Sequence, residues 1–255
     1  MHRLITLASL ITLVSVSAQA RADDFPPDAG APEAAAQPQP TGCARPEGAT
    51  ESSLSGKTDR ERLDFLATTL EDEGAAARRW TFVWGATYAG LTAVQLGVMG
   101  LFDKADQPDW YWGALSSGVG VAFTVFGPLR VASEGTPFAQ RARRQGLSDQ
   151  ETCQLLVEGE KMLREDADSE SFNRSWFIHV GNVLFNAGFG LILGLGYGHW
   201  TSGIINALVG TAIGELTIFT MPNQLIPGWS KYRGAPVTFH LVPTAGPGVG
   251  LVVRF

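Results

Sequence analysis

The stretch Arg174–Trp200, RSWFIHVGNVLFNAGFGLILGLGYGHW, decides the fold. It is long and apolar enough to cross the hydrocarbon of a bilayer, which takes a helix of roughly 20 residues. Amides and glycines recur within it at intervals of four, at Asn182, Asn186, Gly190, Gly194 and Gly198. Because residues four apart lie nearly above one another on a helix, these positions form one stripe. The stretch therefore predicts a membrane helix with one narrow face of small and amide residues.

Three further runs have the same apolar character as this one, which ends near Tyr197. They are Thr81–Phe102, Trp110 to about Ala132, and Gly203 to about Met221. Each is long enough to cross the ~30 Å hydrocarbon layer at about 1.5 Å per residue. Tryptophans stand at the ends of the runs, where aromatic belts form. A soluble bundle of four buried helices is the alternative, but the near lack of charge favours an all-α membrane protein with four transmembrane helices.

The two halves of the chain repeat one order of features. In each half a capping box, an amphipathic helix and an arginine near a tryptophan precede two apolar runs joined by a short turn. Residues match at constant spacings: Trp80 with Trp176 and Gly85 with Gly181 at 96, then Trp110 with Trp200, Gly113 with Gly203 and Gly120 with Gly210 at 90. The pattern predicts two duplicated helical hairpins of one orientation, related by an axis along the membrane normal.

The regions outside the hairpins differ from them in composition. The first twenty residues have the charged start, short apolar core and A-x-A end of a secretory signal peptide. The Pro- and Ala-rich residues after them cannot bury enough apolar surface to fold. The predicted organisation is a signal peptide over 1–20, a disordered linker over 21–57, a first repeat over 58–133, a polar connector over 134–147, a second repeat over 148–221 and a tail over 222–255.

The tail has the alternating pattern of a small β-hairpin. Apolar and polar residues alternate over 237–242 and again over 249–255, on either side of a turn at Thr244–Gly248. Alternation that ends on Phe255 looks like the last strand of an outer-membrane barrel, although one hairpin cannot close a barrel. We therefore expect a hairpin that lies on the membrane surface or joins a partner's sheet, with the outer membrane as the alternative location.

Two signals disagree about orientation. A cleaved signal peptide puts both termini and residues 134–175 on the extracytoplasmic side of the inner membrane. The positive-inside rule predicts the opposite, because that side would hold Arg78, Arg79, Arg130, Arg141, Arg143 and Arg144. We give the signal peptide more weight because it commits the N-terminus first. Cys43 and Cys153 would then share an oxidising compartment, where a disulfide and two free thiols are both open alternatives.

The second hairpin carries a polar set within its apolar runs. Counted from the turn near His199, Asn182 and Glu215 fall at similar depth in an antiparallel hairpin. An intramembrane carboxylate is costly unless it is protonated, paired or wetted, and His179, Asn182 and Asn186 can satisfy it. The candidate site is therefore Glu215, Asn182, Asn186 and His179. It is either a hydrogen-bonded clamp between helices or a proton, ion or solute site.

The glycines have a packing interpretation. Small residues four apart let helix backbones approach closely in lipid, where no hydrophobic drive acts between helices. The predicted packing positions are Gly190, Gly194 and Gly198 in the third run, and Gly85 and Gly97 in the first.

The sequence does not show the residue patterns that metal binding, serine catalysis or nucleic-acid binding would need. The histidines of the mature chain are not spaced as metal ligands, so we expect neither a metal centre nor a cofactor. Ser116–Ser117 has no G-x-S-x-G context, and no enzyme is expected. Basic residues do not form a strip with interleaved aromatics, which disfavours nucleic acid as a partner.

Two functions are compatible with these features. The first is a non-catalytic scaffold or assembly subunit of the cell envelope, in contact with membrane lipid and with a protein partner or a second copy. The second is a small transporter or channel with a polar intramembrane site around Glu215, Asn182 and Asn186.

Overall fold

A computed structural model describes residues 42–46, 49, 57–127, 130–234, 238–243 and 249–254. The predicted signal peptide and most of the predicted linker lie outside these residues. The described helices are α1 Asp59–Met99, α2 Gln107–Phe126, α3 Val131–Ala142, α4 Asp149–Asn173, α5 Trp176–Leu191, α6 Trp200–Phe219 and α7 Leu225–Arg233. A π-helical turn, Ile192–Gly196, continues α5. Two strands, β1 Thr238–Pro243 and β2 Val249–Arg254, pair antiparallel with Leu241 opposite Leu251.

Four helical segments are long and apolar enough to cross a membrane: Asp59–Met99, Gln107–Ala142, Trp176–Gly196 and Trp200–Phe219. Large apolar side chains cover their outer surfaces, and the exposed fraction reaches 76% for Phe82 and 67% for Leu208. A soluble monomer rarely exposes so much contiguous apolar surface, whereas a bilayer requires it. The chain is therefore a helical membrane protein.

Both predicted capping boxes are present. Thr58 Oγ1 accepts a hydrogen bond from the Glu61 backbone N–H at 3.2 Å, and Glu61 accepts one from the Thr58 N–H at 2.7 Å. Ser148 and Glu151 make the same reciprocal pair at the start of α4. Each box satisfies two backbone donors that a helix N-terminus would otherwise leave unpaired.

Most of the described residues outside the apolar runs fold into one helical unit, here called the head. It comprises segment 42–46, the first part of α1 up to Trp80, α3, α4 and α7. Its core is apolar and includes Leu63, Leu66, Leu70, Val131, Phe138, Leu156, Leu163, Leu225, Trp229 and Tyr232. A disulfide joins Cys43 to Cys153, one of the two alternatives that the sequence left open.

Most of the predicted polar connector over 134–147 is helical. Residues up to Ala142 belong to α3, which buries Phe138, Ala139 and Ala142 against the head core. A Cβ at Gly135 would overlap the Leu70 carbonyl, so α1 and α3 cross with their backbones in close approach. The buried positions recur at helical spacing, but the charged residues between them made the segment look like a loop.

The tail does not begin at residue 222 as an extended segment. Leu225–Arg233 is a helix whose buried residues Leu225, Trp229 and Tyr232 face the head. Pro227 lies in the first turn of α7, where a missing backbone N–H breaks no helical hydrogen bond.

Of the five predicted packing glycines, the structure supports three. A Cβ at Gly190 would lie 2.7 Å from the Gly203 carbonyl oxygen of α6, and one at Gly194 would lie 2.5 Å from the Trp200 ring. A Cβ at Gly85 would touch Thr124 at 3.5 Å.

Gly97 and Gly198 make no close helix contact among the described residues. Nothing among the described residues lies within 4 Å of a Cβ built at Gly97. Gly198 has a φ of +76° and ends the third span, with its N–H bonded to the Gly194 carbonyl at 3.1 Å. That left-handed conformation, rather than close packing, is the reason for a glycine there.

Candidate functional site

The four predicted polar residues come together between α5 and α6. His179 Nδ1 lies 2.6 Å from Glu215 Oε2. Asn182 Nδ2 donates to Glu215 Oε1 at 3.0 Å and also to the Thr211 carbonyl at 3.0 Å. Asn186 Nδ2 donates to the backbone carbonyl and to the side-chain oxygen of Asn182, both at 2.9 Å. One line of hydrogen bonds therefore joins all four side chains, here called the polar cluster.

Glycines of α6 make room for the amides of α5. A Cβ at Gly214 would overlap the Asn182 amide, and a Cβ at Gly210 would overlap the Asn186 amide. The amides thus occupy the space of missing side chains on the facing helix. The sequence pointed to the amides but gave no role to these two glycines.

The charged end of the polar cluster lies near the head. His179 is three residues into α5 and Glu215 is four residues from the end of α6. At about 1.5 Å per residue both are roughly 6 Å from the head-side ends of their helices. Their side chains are 28% and 24% exposed. A carboxylate at this depth avoids the highest desolvation cost, which applies at the bilayer centre.

A cavity of about 460 Å³ opens between the two hairpins, α1–α2 and α5–α6. We call it the interhairpin slot. Its lining includes Asn182 and Asn186 but neither Glu215 nor His179. The amides of Asn182 and Asn186 therefore lie between the slot and the histidine–carboxylate pair.

The hairpins contact each other on the loop side and on the head side of the slot. At the loop end, Asp109 Oδ1 lies 2.7 Å from His199 Nδ1, and the rings of Trp112 and Phe189 are 5.7 Å apart. At the head end, Trp80 Nε1 donates to the Thr217 carbonyl at 3.1 Å. The sequence analysis missed these contacts, although Asp109 and His199 stand in the same place before Trp110 and Trp200.

Tyr88 adds a second polar contact at the head end. Its hydroxyl lies 2.8 Å from Thr217 Oγ1. Trp84, one turn nearer the head on α1, donates from Nε1 to Thr220 Oγ1 at 2.8 Å. The end of α6 is thus held to α1 by three side chains, all of which come from the first span and its entry.

Three polar groups inside the slot lack protein partners among the described residues. Gln95 Oε1 is buried without a hydrogen bond. No hydrogen bond joins the Ser116 hydroxyl or the Asn206 amide to another described residue, and both side chains line the slot. Gln95 and Asn206 are amides within otherwise apolar runs, which was the signal that could have identified them.

The head buries several ionisable groups. The Arg62 guanidinium, 3% exposed, lies 2.7 Å from Glu160 Oε1 and donates to Asp59 Oδ1 at 2.8 Å and to Tyr232 Oη at 3.2 Å. Arg62 also donates to the backbone carbonyl of Cys43 at 3.4 Å, which ties the disulfide segment to the core. A buried cation with this many acceptors is compensated rather than free to react.

Two carboxylates of α4, Glu170 and Asp166, are buried in the head. Glu170 accepts hydrogen bonds from the N–H groups of Leu225 at 3.0 Å and Ile226 at 3.3 Å, at the start of α7. Burial nevertheless raises the pKa of Glu170 to about 7, and neighbouring Glu73 acts in the same direction. Burial likewise raises the pKa of Asp166 to about 6.

Cys43, Asp59 and Cys153 form the one group in the described residues that has the spacing of metal ligands. The two sulfurs are bonded to each other, so they do not offer the thiolates that a zinc or iron site needs. The two cysteines of this group therefore form a disulfide and are not available as metal ligands.

These features define a class: a helical membrane protein with four helices long and apolar enough to span a bilayer, a disulfide-bonded helical head and a slot between its hairpins. Comparisons with protein-family models, curated proteins and solved structures find no match to this chain.

Proposed function

We propose that the protein is a non-catalytic scaffold or assembly subunit of the cell envelope, which holds its head at a fixed orientation on the membrane surface. The observation that carries this proposal is that the polar cluster satisfies itself. Glu215 takes hydrogen bonds from His179 and Asn182 of its own hairpin, and Asn186 supports Asn182. Polar groups arranged in this way hold two helices together.

The construction of the head supports the same proposal. Helix α1 runs for 41 residues from the head core into the first span without a break. The disulfide and the buried Arg62–Glu160 pair fix segment 42–46 and α4 to that helix. A head joined so firmly to its membrane base can present a binding surface at a defined height.

We place the head on the extracytoplasmic side of the inner membrane. The disulfide between Cys43 and Cys153 supports this placement, because cytosolic reductants keep thiols reduced. The arginine distribution argues for the reverse. Reporter fusions at Gly146, in the exposed turn between α3 and α4, decide the question. We expect activity from a reporter that folds only outside the cytoplasm; activity from a cytoplasm-only reporter contradicts the placement.

We also propose that the two hairpins arose by duplication. Gly120 of α2 and Gly210 of α6 match at the 90-residue spacing, and each leaves room for a polar side chain of its own hairpin, Tyr88 and Asn186. The two-stranded tail is assigned to the membrane surface, where it can engage a partner.

The scaffold proposal is tested by photocrosslinking from the head. Val157 on α4 is 60% exposed and lines a surface groove of about 310 Å³ with Pro46, Lys161 and Trp229. A photoreactive residue at 157 is expected to give one saturable product with another protein. The matched control carries the same residue at Lys104, in the turn on the far side of the membrane. Equal products from both positions, or self-crosslinks alone from 157, contradict a scaffold that uses this groove.

A small transporter or channel is the second candidate function. It is favoured by one observation: Asn182 and Asn186 line the slot while Asn182 also binds Glu215. Proteoliposomes that carry wild type or Glu215→Gln distinguish the two functions. Solute or proton flux that the substitution abolishes without loss of assembly favours transport, whereas no flux from either protein favours the scaffold.

A further inference from the structure

The interhairpin slot has the form of a small-molecule site. Its volume of about 460 Å³ lies within the range of roughly 300–1,000 Å³ that is usual for ligand pockets. The hairpins contact each other on its loop side at Asp109–His199 and on its head side at Trp80–Thr217, so the opening faces the lipid between them. A ligand therefore reaches the slot from within the bilayer.

The slot excludes charged ligands and protein helices. Among the residues that line it there is no Asp, Glu, Lys, Arg or His, and the walls include Phe123, Phe177 and Phe185. A charged group in this setting would lack a counter-ion. A helix is also too large, because a 20-residue helix about 10 Å wide and about 30 Å long occupies on the order of 2,000 Å³. A hydrocarbon chain fits both limits.

One end of the slot offers unpaired polar groups. Gln95 is four residues before the end of α1, Ser116 is nine residues after the start of α2, and Asn206 is six residues after the start of α6. At about 1.5 Å per residue they lie roughly 6, 14 and 9 Å from the loop-side ends of their helices. Gln95 Oε1 is buried against Gly113, where a Cβ would lie 2.6 Å from it, so the Nε2 group is the part of this amide that can meet a ligand. The amides toward the head are already paired with each other.

We propose that the slot binds an uncharged amphiphile from the bilayer. Its neutral hydroxyl head meets Gln95, Ser116 and Asn206, and its single hydrocarbon chain lies along the aromatic wall toward the head. A hydroxyl suits this end because it accepts from the Gln95 and Asn206 amide N–H groups and donates to the Ser116 or Asn206 side-chain oxygen. The polar cluster lines the slot through Asn182 and Asn186 toward the head, whereas the hydroxyl is bound at the loop end, and the proposal does not depend on the scaffold function.

The test uses a photoreactive probe in the full-length protein, reconstituted in nanodiscs. The probe is a 16-carbon fatty alcohol that carries a diazirine on its chain. We expect labelling of peptides that contain Phe123, Phe185 or Val209, with competition by unlabelled fatty alcohol and not by the alkane of equal length. Labelling spread over lipid-facing residues such as Phe82, or equal competition by the alkane, overturns the proposal.

Two neighbouring substitutions provide the matched pair. Val209→Trp fills the slot, and Leu208→Trp adds the same ring one position away on the lipid-facing side of α6, where Leu208 is 67% exposed. We expect Val209→Trp to remove most of the specific labelling and Leu208→Trp to leave it unchanged. Equal loss in both variants contradicts the site.

Asn206→Leu provides a second test, which is needed if Val209→Trp disturbs the packing of the hairpins. It removes the amide and leaves the apolar wall, and we expect the concentration of fatty alcohol needed for half-maximal competition to rise about tenfold. An unchanged value refutes recognition of the head group. If labelling is replaced by crosslinks between two copies through the slot, the occupant is a second chain and the proposal is wrong.

Discussion

In both membrane hairpins the two helices approach closely at a glycine, but different side chains fill the space beside that glycine. In the first, the ring of Tyr88 covers Gly120, and Thr92 Oγ1 donates to Ser117 Oγ at 3.0 Å. In the second, the Asn186 amide covers Gly210, and the contact extends through Asn182 to Glu215. In both hairpins the glycine allows the helices to approach closely. The side chain beside the glycine differs, and only in the second hairpin do its hydrogen bonds extend to a carboxylate.

The hairpins also differ in how they join the head. In the first hairpin, α1 runs without a break from the head core to the end of the first apolar run, so the head and the hairpin share one continuous helix. The second begins after a break, because α4 ends at Asn173 and α5 starts at Trp176. Arg174 donates to the Met221 carbonyl, and Glu170 accepts a hydrogen bond from the backbone at the start of α7. Side-chain hydrogen bonds therefore link the second hairpin to the head, whereas a continuous helix links the first.

The largest expected effect comes from the backbone contact of the second hairpin. A side chain at Gly203 would overlap the Gly190 carbonyl, and neither backbone can move without parting the helices. We expect Gly203→Leu to lower the free energy of unfolding by about 3 kcal/mol, as overpacking of a filled interface does. Thermal unfolding in detergent measures it. Gly181→Leu is the control, because no described atom lies within 4 Å of a Cβ there; equal loss from both would mean that this crossing is not a close contact.

The junction of the second hairpin should respond to pH. The pKa of Glu170 is raised to about 7 by burial and by Glu73, against the opposite effect of Arg174 and two backbone N–H donors. The folded state therefore binds more protons than the unfolded state between about pH 4.5 and 7. We expect the free energy of unfolding to rise by about 2 kcal/mol as the pH falls from 8 to 5.

Two substitutions on α4 isolate the contribution of Glu170. Glu170→Gln should remove most of the pH dependence, whereas Asp168→Asn, at an exposed position of the same helix, should keep it. A protein that is more stable at pH 8 than at pH 5 would contradict a raised pKa of Glu170 in the folded state.

The polar contacts of the two hairpins should differ in strength. Asn182 serves two acceptors, including a carboxylate, so we expect Asn182→Leu to cost about 1.7 kcal/mol, near the upper end for interhelical hydrogen bonds in membranes. Thr92→Val in the first hairpin removes one neutral bond and should cost about 0.6 kcal/mol. Equal costs, measured by the same unfolding assay, would remove the distinction between the hairpins.

Much of the membrane part could be predicted from the sequence, because local patterns determine it. Each of the four apolar runs overlaps one of the four span-length helices, and both capping boxes start helices at the expected residues. The polar cluster was predictable as well. An antiparallel hairpin fixes the depth of each residue by its distance from the turn, so Asn182 and Glu215 had to meet.

The remainder depends on contacts between distant segments. Helices α3 and α7 have too many charged or helix-breaking residues to be recognised locally, and they become stable by burying Phe138 and Trp229 against a core supplied by α1 and α4. The slot likewise has no local signal. It exists because Asp109 meets His199 and Trp80 meets Thr217 while the walls between stay apart.

The central claim is that four helices lie in lipid and one disulfide-bonded head lies outside it. Spin labels at Leu208 in α6 and at Val157 in the head, each in nanodiscs, test it through collisions with oxygen and with a water-soluble nickel complex. We predict that oxygen relaxes the label at 208 more strongly and nickel the label at 157 more strongly. Strong nickel relaxation at 208 would mean that α6 faces water, and would contradict the account.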